Sequence, residues 1–444
     1  MWIKLVIEWN LIPTTKQSIA LIRVYMNSEA IRWCVLVKVA VIGLGYVGLP
    51  LLLALSKFYK IIGFDIDATR IRNLIKGFDN NTQAHFAPSQ NIFFTSDSKY
   101  LLEAEVFIIA VPTPIYTNKT PDLSHLFKAT KIVAKNLKKN DLVIFESTTY
   151  PFCTNLQCTK ILSDYSKLVA EKDFFVGYSP ERINPGDDTH CLENTTKIIA
   201  ANTPYAKERM RALYEQITDV YIAPSIEVAE MAKLIENAQR DLNIAFINEV
   251  AIMCDRLNLS ATEVLKAART KWNFLDFAPG LVGGHCISVD PYYLAFIMKD
   301  FSYKPKILSM GRYVNNKMPS FLAKKIRNLS VELGLGSESQ VLILGLSFKE
   351  NCADMRNSKV VDLRKKFKKQ GFKVKVFDPL IDRSHAKKLF GFKPLKSLES
   401  RKFDIVILVN AHKEFLDLDI RSLVREKHIV FDLKNILSYA THRL

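Results

Sequence analysis

The sequence predicts an α/β fold in which two units of parallel sheet, wrapped by helices, are joined by a long helix and a helical middle. Three observations carry this expectation. Short apolar, β-rich runs alternate with helical stretches from Lys38 to Ala201, a stretch without Gly or Pro runs from Ile226 to Leu257, and the strand–helix rhythm returns from Gln340. Strands that alternate with helices read as a parallel sheet covered on both faces. At 444 residues the chain exceeds one ordinary core, so two or three domains are expected.

In chain order, KVAVIGLG from Lys38 is a strand running into a turn, LPLLLALSKF a helix, and KIIGFDID the next strand. VFIIAVPTP, DLVIFESTT, DFFVGYSPER and TKIIAA supply further strands. The segment from Lys38 to Ser56 is nearly long enough to span a bilayer. Its three spaced glycines and a proline behind a short β-rich run suit a buried strand–turn–helix better, so no integral membrane segment is expected. Ser225 caps the long helix that starts at Ile226. Its 32 residues reach about 48 Å at 1.5 Å per residue, enough to cross between domains or to form the seam of a homodimer. QVLILGLSF, KVVDLRKKFKKQG, KVKVFDP, FDIVILVNA and HIVFDL then read as a second, smaller Rossmann-like unit. The expected division is 1–37 as an extension, 38–223 as a cofactor domain, 224–325 as a helical centre and 326–444 as the second sheet unit. The extension holds Trp2, Trp9 and Trp33 without a signal-cleavage pattern, and Met26, 12 residues before Lys38, is a candidate true start.

Hydrophobic residues at 48% and charged residues at 24% fit a soluble globular protein. The net charge of +17 raises nucleic acid or an anionic membrane as partner, but Lys and Arg are scattered. The one dense run, Arg364, Lys365, Lys366, Lys368 and Lys369, continues an amphipathic pattern around Val361, Leu363 and Phe367 and reads as a solvated helix face, so no nucleic acid is expected. Excess positive charge would still steer an anionic substrate. The seven cysteines are odd in number and include no C-x-x-C pair, which indicates neither a disulfide framework nor a zinc site. No metal is expected, and a reducing cytoplasm fits.

Gly43, Gly45 and Gly48 form G-x-G-x-x-G between strand and helix, with Tyr46 and Val47 inside the loop. The first glycine permits the tight turn, the second lets backbone approach a pyrophosphate, and the third lets helix and strand pack. Phosphate would sit at the helix N-terminus, where unpaired N–H groups favour negative charge. Asp65 closes the next strand 17 residues after Gly48, where a carboxylate accepts from ribose hydroxyls and repels a 2′-phosphate, so NAD is favoured over NADP. Arg70 reads either as lying over the adenine side or as an exposed helix residue.

Lys233 and Asn237 are i and i+4 on the long helix and project from one face. A Lys among Val228, Met231 and Leu234 reads by itself as a snorkelling side chain. Cys286 follows two glycines, Gly283 and Gly284, that let backbone approach another group, although a buried cysteine is most often inert. Asp290, four residues later, could orient water or act as a base.

GLGYVGLP, VPTP, ESTTYP, SPER, the E-x-x-K-x-x-x-N from Glu230 to Asn237, GGHC-x-x-VDPYY and FKENCADMRNS occur in this order over about 400 residues. Together they resemble the nucleotide-sugar dehydrogenases, the family of UDP-glucose and UDP-N-acetylhexosamine 6-dehydrogenases. TKWNF followed by PGLVGGHC and VDPYYL is more similar to the UDP-N-acetylglucosamine or UDP-N-acetylgalactosamine branch. The resemblance implies a four-electron oxidation of the sugar C6 alcohol to a carboxylate, with Cys286 as covalent nucleophile. It implies that Lys233 and Asn237 stabilise oxyanions, and that Asp290, Thr148 and Glu181 order and activate water. It implies a nicotinamide side lined by Val111, Pro112, Thr113, Ser147 and Thr148, with Gly283 and Glu181 against the substrate. Lys349 and Arg356 would hold the UDP end, with Arg182 and Arg240 as weaker candidates; without the resemblance they read as surface charges. Surface-polysaccharide precursors in a bacterium are the implied pathway.

Three positions depart from the pattern. Phe152 and Arg269 stand where relatives commonly have Gly, and Pro185 stands where the UDP-glucose branch has a second acid. Alternatives from the residues alone are a two-electron hydroxyacid dehydrogenase, which has no use for a nucleophilic cysteine, and a binding protein that forms no NADH.

Overall fold

The computed structural model describes residues 38–182 and 191–444. The extension with Met26, and Pro185, lie outside the described residues. The first unit begins with β1 (Lys38–Ile42), α1 (Gly48–Leu55), β2 (Lys60–Phe64) and α2 (Ala68–Ile75). A small hairpin of β3 (Phe78–Asp79) and β4 (Ala84–His85) precedes β5 (Ile92–Thr95), β6 (Val106–Ile109) and α3 (Ser124–Ala134). Next come β7 (Leu142–Phe145), α4 (Thr159–Ser166), β8 (Phe175–Tyr178), β9 (Lys197–Ala201), α5 (Pro204–Tyr214) and β10 (Val220–Ile222).

These strands form an eight-stranded sheet in the order β10-β9-β8-β7-β6-β1-β2-β5. Ala40 and Ile42 of β1 face one hydrophobic core, and Val39 and Val41 face the other, so the strand is apolar on both sides as a doubly covered sheet demands. The sheet departs from the all-parallel expectation at one junction, where β9 runs antiparallel to β8. A parallel return needs a helical crossover, and the sequence between them, rich in Pro, Asp, Asn and Thr, has no helical period. The strand order reverses at β1, which lies between β6 and β2, leaving a crevice beyond the carboxyl ends of β1 and β6.

The long helix α6 (Ile226–Arg256) has 31 residues and a length of about 46 Å. The Ser225 hydroxyl accepts the Val228 N–H at 3.3 Å and caps it, as its position predicts. Ala229, Leu234 and Ala238 lie in the first unit's core, while Ile252 reaches the core of the second. The middle continues with α7 (Ala261–Ala268), α8 (Asp290–Ile297) and α9 (Lys306–Glu332). Position 325/326, expected to divide two domains, falls inside α9. Met318, Leu322 and Ile326 continue one apolar face at four-residue spacing into the second core, so the helix runs on through that position.

The second unit comprises β11 (Gln340–Leu344), α10 (Val360–Lys369), β12 (Lys373–Phe377), β13 (Phe403–Leu408), β14 (Val424–Asp432) and β15 (His442–Arg443), all parallel in the order β12-β11-β13-β14-β15. In α10, Val361, Leu363 and Phe367 are buried while Lys365, Lys366, Lys368 and Lys369 are exposed, the solvated face anticipated for that charge run. Lys38–Ser56 forms β1 and α1, and among the described residues no helix is long and apolar enough to cross a membrane.

Candidate active site

The same turn is built twice. Gly43 N–H donates to the Phe64 carbonyl and Gly345 N–H to the Phe377 carbonyl, each at 2.9 Å. Both glycines have left-handed φ, 91° and 94°, which is why glycine stands there. Leu44 N–H then donates to Asp65 Oδ2 at 2.9 Å, and Leu346 N–H to Asp378 Oδ2 at 2.6 Å. Beyond this point the two copies diverge. In the first, Gly45 opens onto empty space and no side chain caps α1, which begins at Gly48. Asp65 spends one further bond on Asp67 N–H, leaving part of its accepting capacity for a ribose. In the second, Ser347 and Glu350 stand at the later glycine positions, and Asp378 is buried against Ser347 N–H and His412 Nε2. Only the first loop therefore fits a dinucleotide pyrophosphate.

Arg70 lies beneath this loop. Its Nε donates to the Leu44 carbonyl and its Nη1 pairs with Asp79 at 3.0 Å, with the residue 8% exposed. Arg70 is therefore not an exposed helix residue: it braces the loop from inside. Tyr46 extends the loop in the other direction, where the Arg356 guanidinium lies 4.8 Å above its ring. Val47 is the residue from which α1 departs.

Across the crevice, the Ser147 hydroxyl accepts Val111 N–H at 2.9 Å and donates to the Val111 carbonyl at 2.8 Å, stapling the ends of β6 and β7 together. Pro112 and Thr113 follow, and Tyr293 of α8 donates its hydroxyl to the Thr113 carbonyl at 2.7 Å. Thr148 is half-buried beside Ser147. The loop from Thr149 to Thr154 is gripped by Glu230 of α6, which accepts from Thr149 Oγ1 at 2.9 Å, Phe152 N–H at 2.9 Å and Thr154 N–H at 3.0 Å. Phe152 has φ 75°, a left-handed backbone that favours glycine. Arg269, the other departure, ends α7 in ordinary helical geometry and pairs with Asp276 at 2.5 Å.

Lys233 sits one turn beyond Glu230 and is 8% exposed, so it does not snorkel to solvent. Asn237 donates to Asp290 Oδ2 at 2.6 Å, and Asp290 N–H donates to the Cys286 carbonyl at 2.9 Å. Helix α6 thus meets the cysteine loop through Asn237 and Asp290. Burial pushes the Cys286 thiol up to about 11, opposed first by the Lys233 charge. Burial raises Asp290 to about 6, again opposed first by Lys233. A thiol, an ammonium, a carboxamide and a carboxyl group therefore converge, the set required to add sulfur to a carbonyl and hold the resulting oxyanion.

The cysteine loop also touches the second unit. A Cβ on Gly283 would meet the Asn357 carbonyl at 2.8 Å, and one on Gly284 would meet the Phe348 ring at 2.8 Å. This is the close approach that the glycine pair permits. Arg356 grips Asp354 through Nε, 3.0 Å from each carboxylate oxygen, and Nη2, 2.6 Å from Oδ2, and reaches His285 Nδ1 at 3.3 Å. Burial and the Arg356 charge lower His285 to about 4, so it is neutral near pH 7. Lys349 is half-buried beyond Phe348, at the carboxyl end of β11.

The remaining candidates are more scattered. Arg182 pairs with Glu236 of α6 at 3.0 Å and with the Thr196 carbonyl at 2.7 Å. Glu181 is 9% exposed and accepts Arg182 N–H at 2.6 Å. Arg240 lies exposed farther along α6. Sequence reasoning missed Glu230, His285 and Asp354 as site neighbours. The Glu230–Lys233 spacing was a usable signal for the first, since it puts both on one helix face. Among the described residues no cluster of His, Cys, Asp and Glu forms a metal site.

Comparison with known proteins agrees with this geometry. Three family models of the UDP-glucose/GDP-mannose dehydrogenase family match in order: the NAD binding domain over 37–218, the central domain over 227–317 and the UDP binding domain over 342–439. A UDP-N-acetyl-D-glucosamine 6-dehydrogenase of Salmonella typhi is 44% identical over 410 residues, 90% of this chain and 96% of the relative. An enzyme of the same name from Pseudomonas aeruginosa is 43% identical over 409 residues, 90% and 97% of the two chains. Among solved structures, a UDP-D-ManNAc dehydrogenase from Pyrococcus horikoshii superposes with a TM-score of 0.80 at 27% identity, covering 91% of this chain and 98% of that one. The chain belongs to the UDP-glucose/GDP-mannose dehydrogenase family, NAD-dependent enzymes that oxidise nucleotide sugars.

Proposed function

We propose that this enzyme oxidises C6 of a UDP-N-acetylhexosamine, UDP-N-acetylglucosamine or UDP-N-acetylgalactosamine, to the uronic acid. The observation that carries the reading is the convergence of Cys286, Lys233, Asn237 and Asp290; the names of the 43–44% identical relatives support the N-acetylglucosamine substrate. The Gly43–Gly48 loop, the segments at Val111–Thr113 and Ser147–Thr148, and Asp65 toward its ribose would hold NAD, which would supply the hydride acceptor for each of two oxidations. The Cys286 sulfur adds to the C6 aldehyde carbon, and the bound carbon then becomes a thioester as the second hydride departs. Lys233 and Asn237 hold the oxyanion at each stage. Asp290, Thr148 and Glu181 order the water that hydrolyses the thioester and carry its proton. Lys349, Arg356, Arg182 and Arg240 supply charge to the UDP end, with Gly283 giving the sugar room. The product serves as a cytoplasmic precursor of surface polysaccharide.

A homodimer forms through α6. Val228, Met231, Ile235, Phe246 and Met253 recur at helical spacing on its exposed side, an apolar stripe that a second copy would cover. Light scattering that gives a monomer would refute the dimer. For the activity, NADH formation is compared with UDP-N-acetylglucosamine, UDP-N-acetylgalactosamine and UDP-glucose side by side. The highest kcat/KM belongs to an N-acetylated sugar; preference for UDP-glucose would overturn the substrate assignment.

A further inference from the structure

Behind Glu181 lies a buried charge cluster that the reaction scheme leaves unused. Lys197, the first residue of β9, is 3% exposed. Its Nζ lies 3.0 Å from Glu146 Oε1 and 3.8 Å from Glu181 Oε2, so one ammonium stands between two carboxyl groups. Glu146, at the carboxyl end of β7, is fixed from the far side by the Tyr214 hydroxyl of α5, which donates to Oε1 at 2.5 Å. Lys197 also lies 5.1 Å over the Tyr214 ring. On the side facing α6, the charged neighbours of Glu181 are Arg182 and Glu236, themselves paired at 3.0 Å.

An isolated ammonium this deep would be strongly penalised, so the cluster has to be accounted for by what it holds. Two carboxyl groups share one cation. Glu146 is the more buried of the two, and burial raises it above the usual carboxylate range, against the pull of Lys197. Lys197 therefore stands against Glu146 at 3.0 Å and still lies within 3.8 Å of Glu181, so one buried side chain ties the two carboxyl groups together.

We propose that Lys197, anchored by Glu146 and Tyr214, is a positioning residue for the hydrolytic half of the reaction, holding the Glu181 carboxylate where it takes a proton from the attacking water. This rests on the reading of Glu181 as a base in thioester hydrolysis. In that step the water oxygen bonds to the thioester carbon and its proton passes to Glu181. The carbon–sulfur bond then breaks with its electron pair on sulfur, the proton returns from Glu181 to sulfur, and the new carboxylic acid ionises. Water is consumed and no oxidant is required. Hydride transfer makes no call on Lys197.

The test mixes the full-length enzyme with UDP-N-acetylglucosamine and excess NAD and measures the sugar-acyl adduct on Cys286 by rapid-quench intact mass spectrometry. Lys197→Met removes the charge; Lys197→Gln also removes it but keeps a donor toward Glu146, in case the first variant does not fold. Both are expected to lose 10-fold or more in kcat and to accumulate the adduct, while the first NADH appears at a rate within threefold of wild type. Glu181→Gln is run alongside. If Glu181→Gln accumulates the adduct and neither Lys197 variant does, the inference is overturned and the reading of Glu181 stands. If Glu181→Gln hydrolyses the adduct at the wild-type rate, the reading of Glu181 falls and the role of Lys197 falls with it.

Discussion

Glu230 touches neither cofactor nor sugar in the proposed scheme, yet its removal should be among the most damaging single changes in the chain. Its carboxyl group, 0% exposed, accepts from Thr149 Oγ1, Thr154 N–H and Phe152 N–H. Thr149 and Thr154 are themselves fully buried. In Glu230→Leu the side chain fills much of the space and excludes water, so at least two buried donors lose their acceptor. At about 1–3 kcal/mol each, the cost is about 2–6 kcal/mol, and the lower half of that range applies because leucine no longer buries a carboxyl group. Glu227, one turn earlier on α6, accepts from Asn155 at 2.5 Å from a half-exposed position that water reaches. Glu227→Leu should cost about 1 kcal/mol. Urea unfolding of the two variants, followed by intrinsic fluorescence, measures the difference. The loop held by Glu230 begins beside Ser147, which staples Val111, so KM for NAD should also rise in Glu230→Leu and stay level in Glu227→Leu. Equal destabilisation by the two substitutions would refute the reasoning.

Other outcomes follow from the same site. Because burial raises Asp290 to about 6, kcat should fall as pH drops through about 6, and Asp290→Asn should lose both that limb and most of the rate. For stability, the raised value means that the folded chain binds a proton the unfolded chain releases. Stability therefore falls as pH rises from about 4 to about 6, and Asp290→Asn should flatten that slope. With its thiol pushed up to about 11, Cys286 in the free enzyme is roughly one part in a thousand thiolate at pH 8. Its alkylation by iodoacetamide, read from the peptide mass, should be slow at pH 8 and slower still in Lys233→Met; rapid labelling at pH 7 would contradict the environment described.

Much of this site was legible before any coordinates. The G-x-G-x-x-G loop, Asp65 closing the next strand, the Ser225 cap and the i, i+4 pair of Lys233 and Asn237 are local patterns, and local geometry dictates where they point. What stayed hidden depends on pairing between distant segments. Whether Arg70 faces solvent or the underside of the loop is decided by Asp79 and the Leu44 carbonyl, which no helical period announces. The reversal of β9 against β8 is settled by the pairing of two strands, and the strand's own sequence is equally good in either direction. The Glu146–Lys197–Glu181 cluster joins three different strand ends that meet only after the sheet has formed. Near 325/326 the apolar face of α9 continues without interruption, so the helix itself does not mark where one unit gives way to the next.

The central claim is a four-electron oxidation through a covalent bond to Cys286, and the stoichiometry of NADH tests it most directly. UDP-N-acetylglucosamine is supplied in limiting amount with excess NAD, and NADH is counted per sugar consumed for wild type and Cys286→Ala. The account predicts two NADH per sugar for wild type, with this full yield lost in Cys286→Ala. One NADH per sugar from wild type, or two from Cys286→Ala, would contradict it.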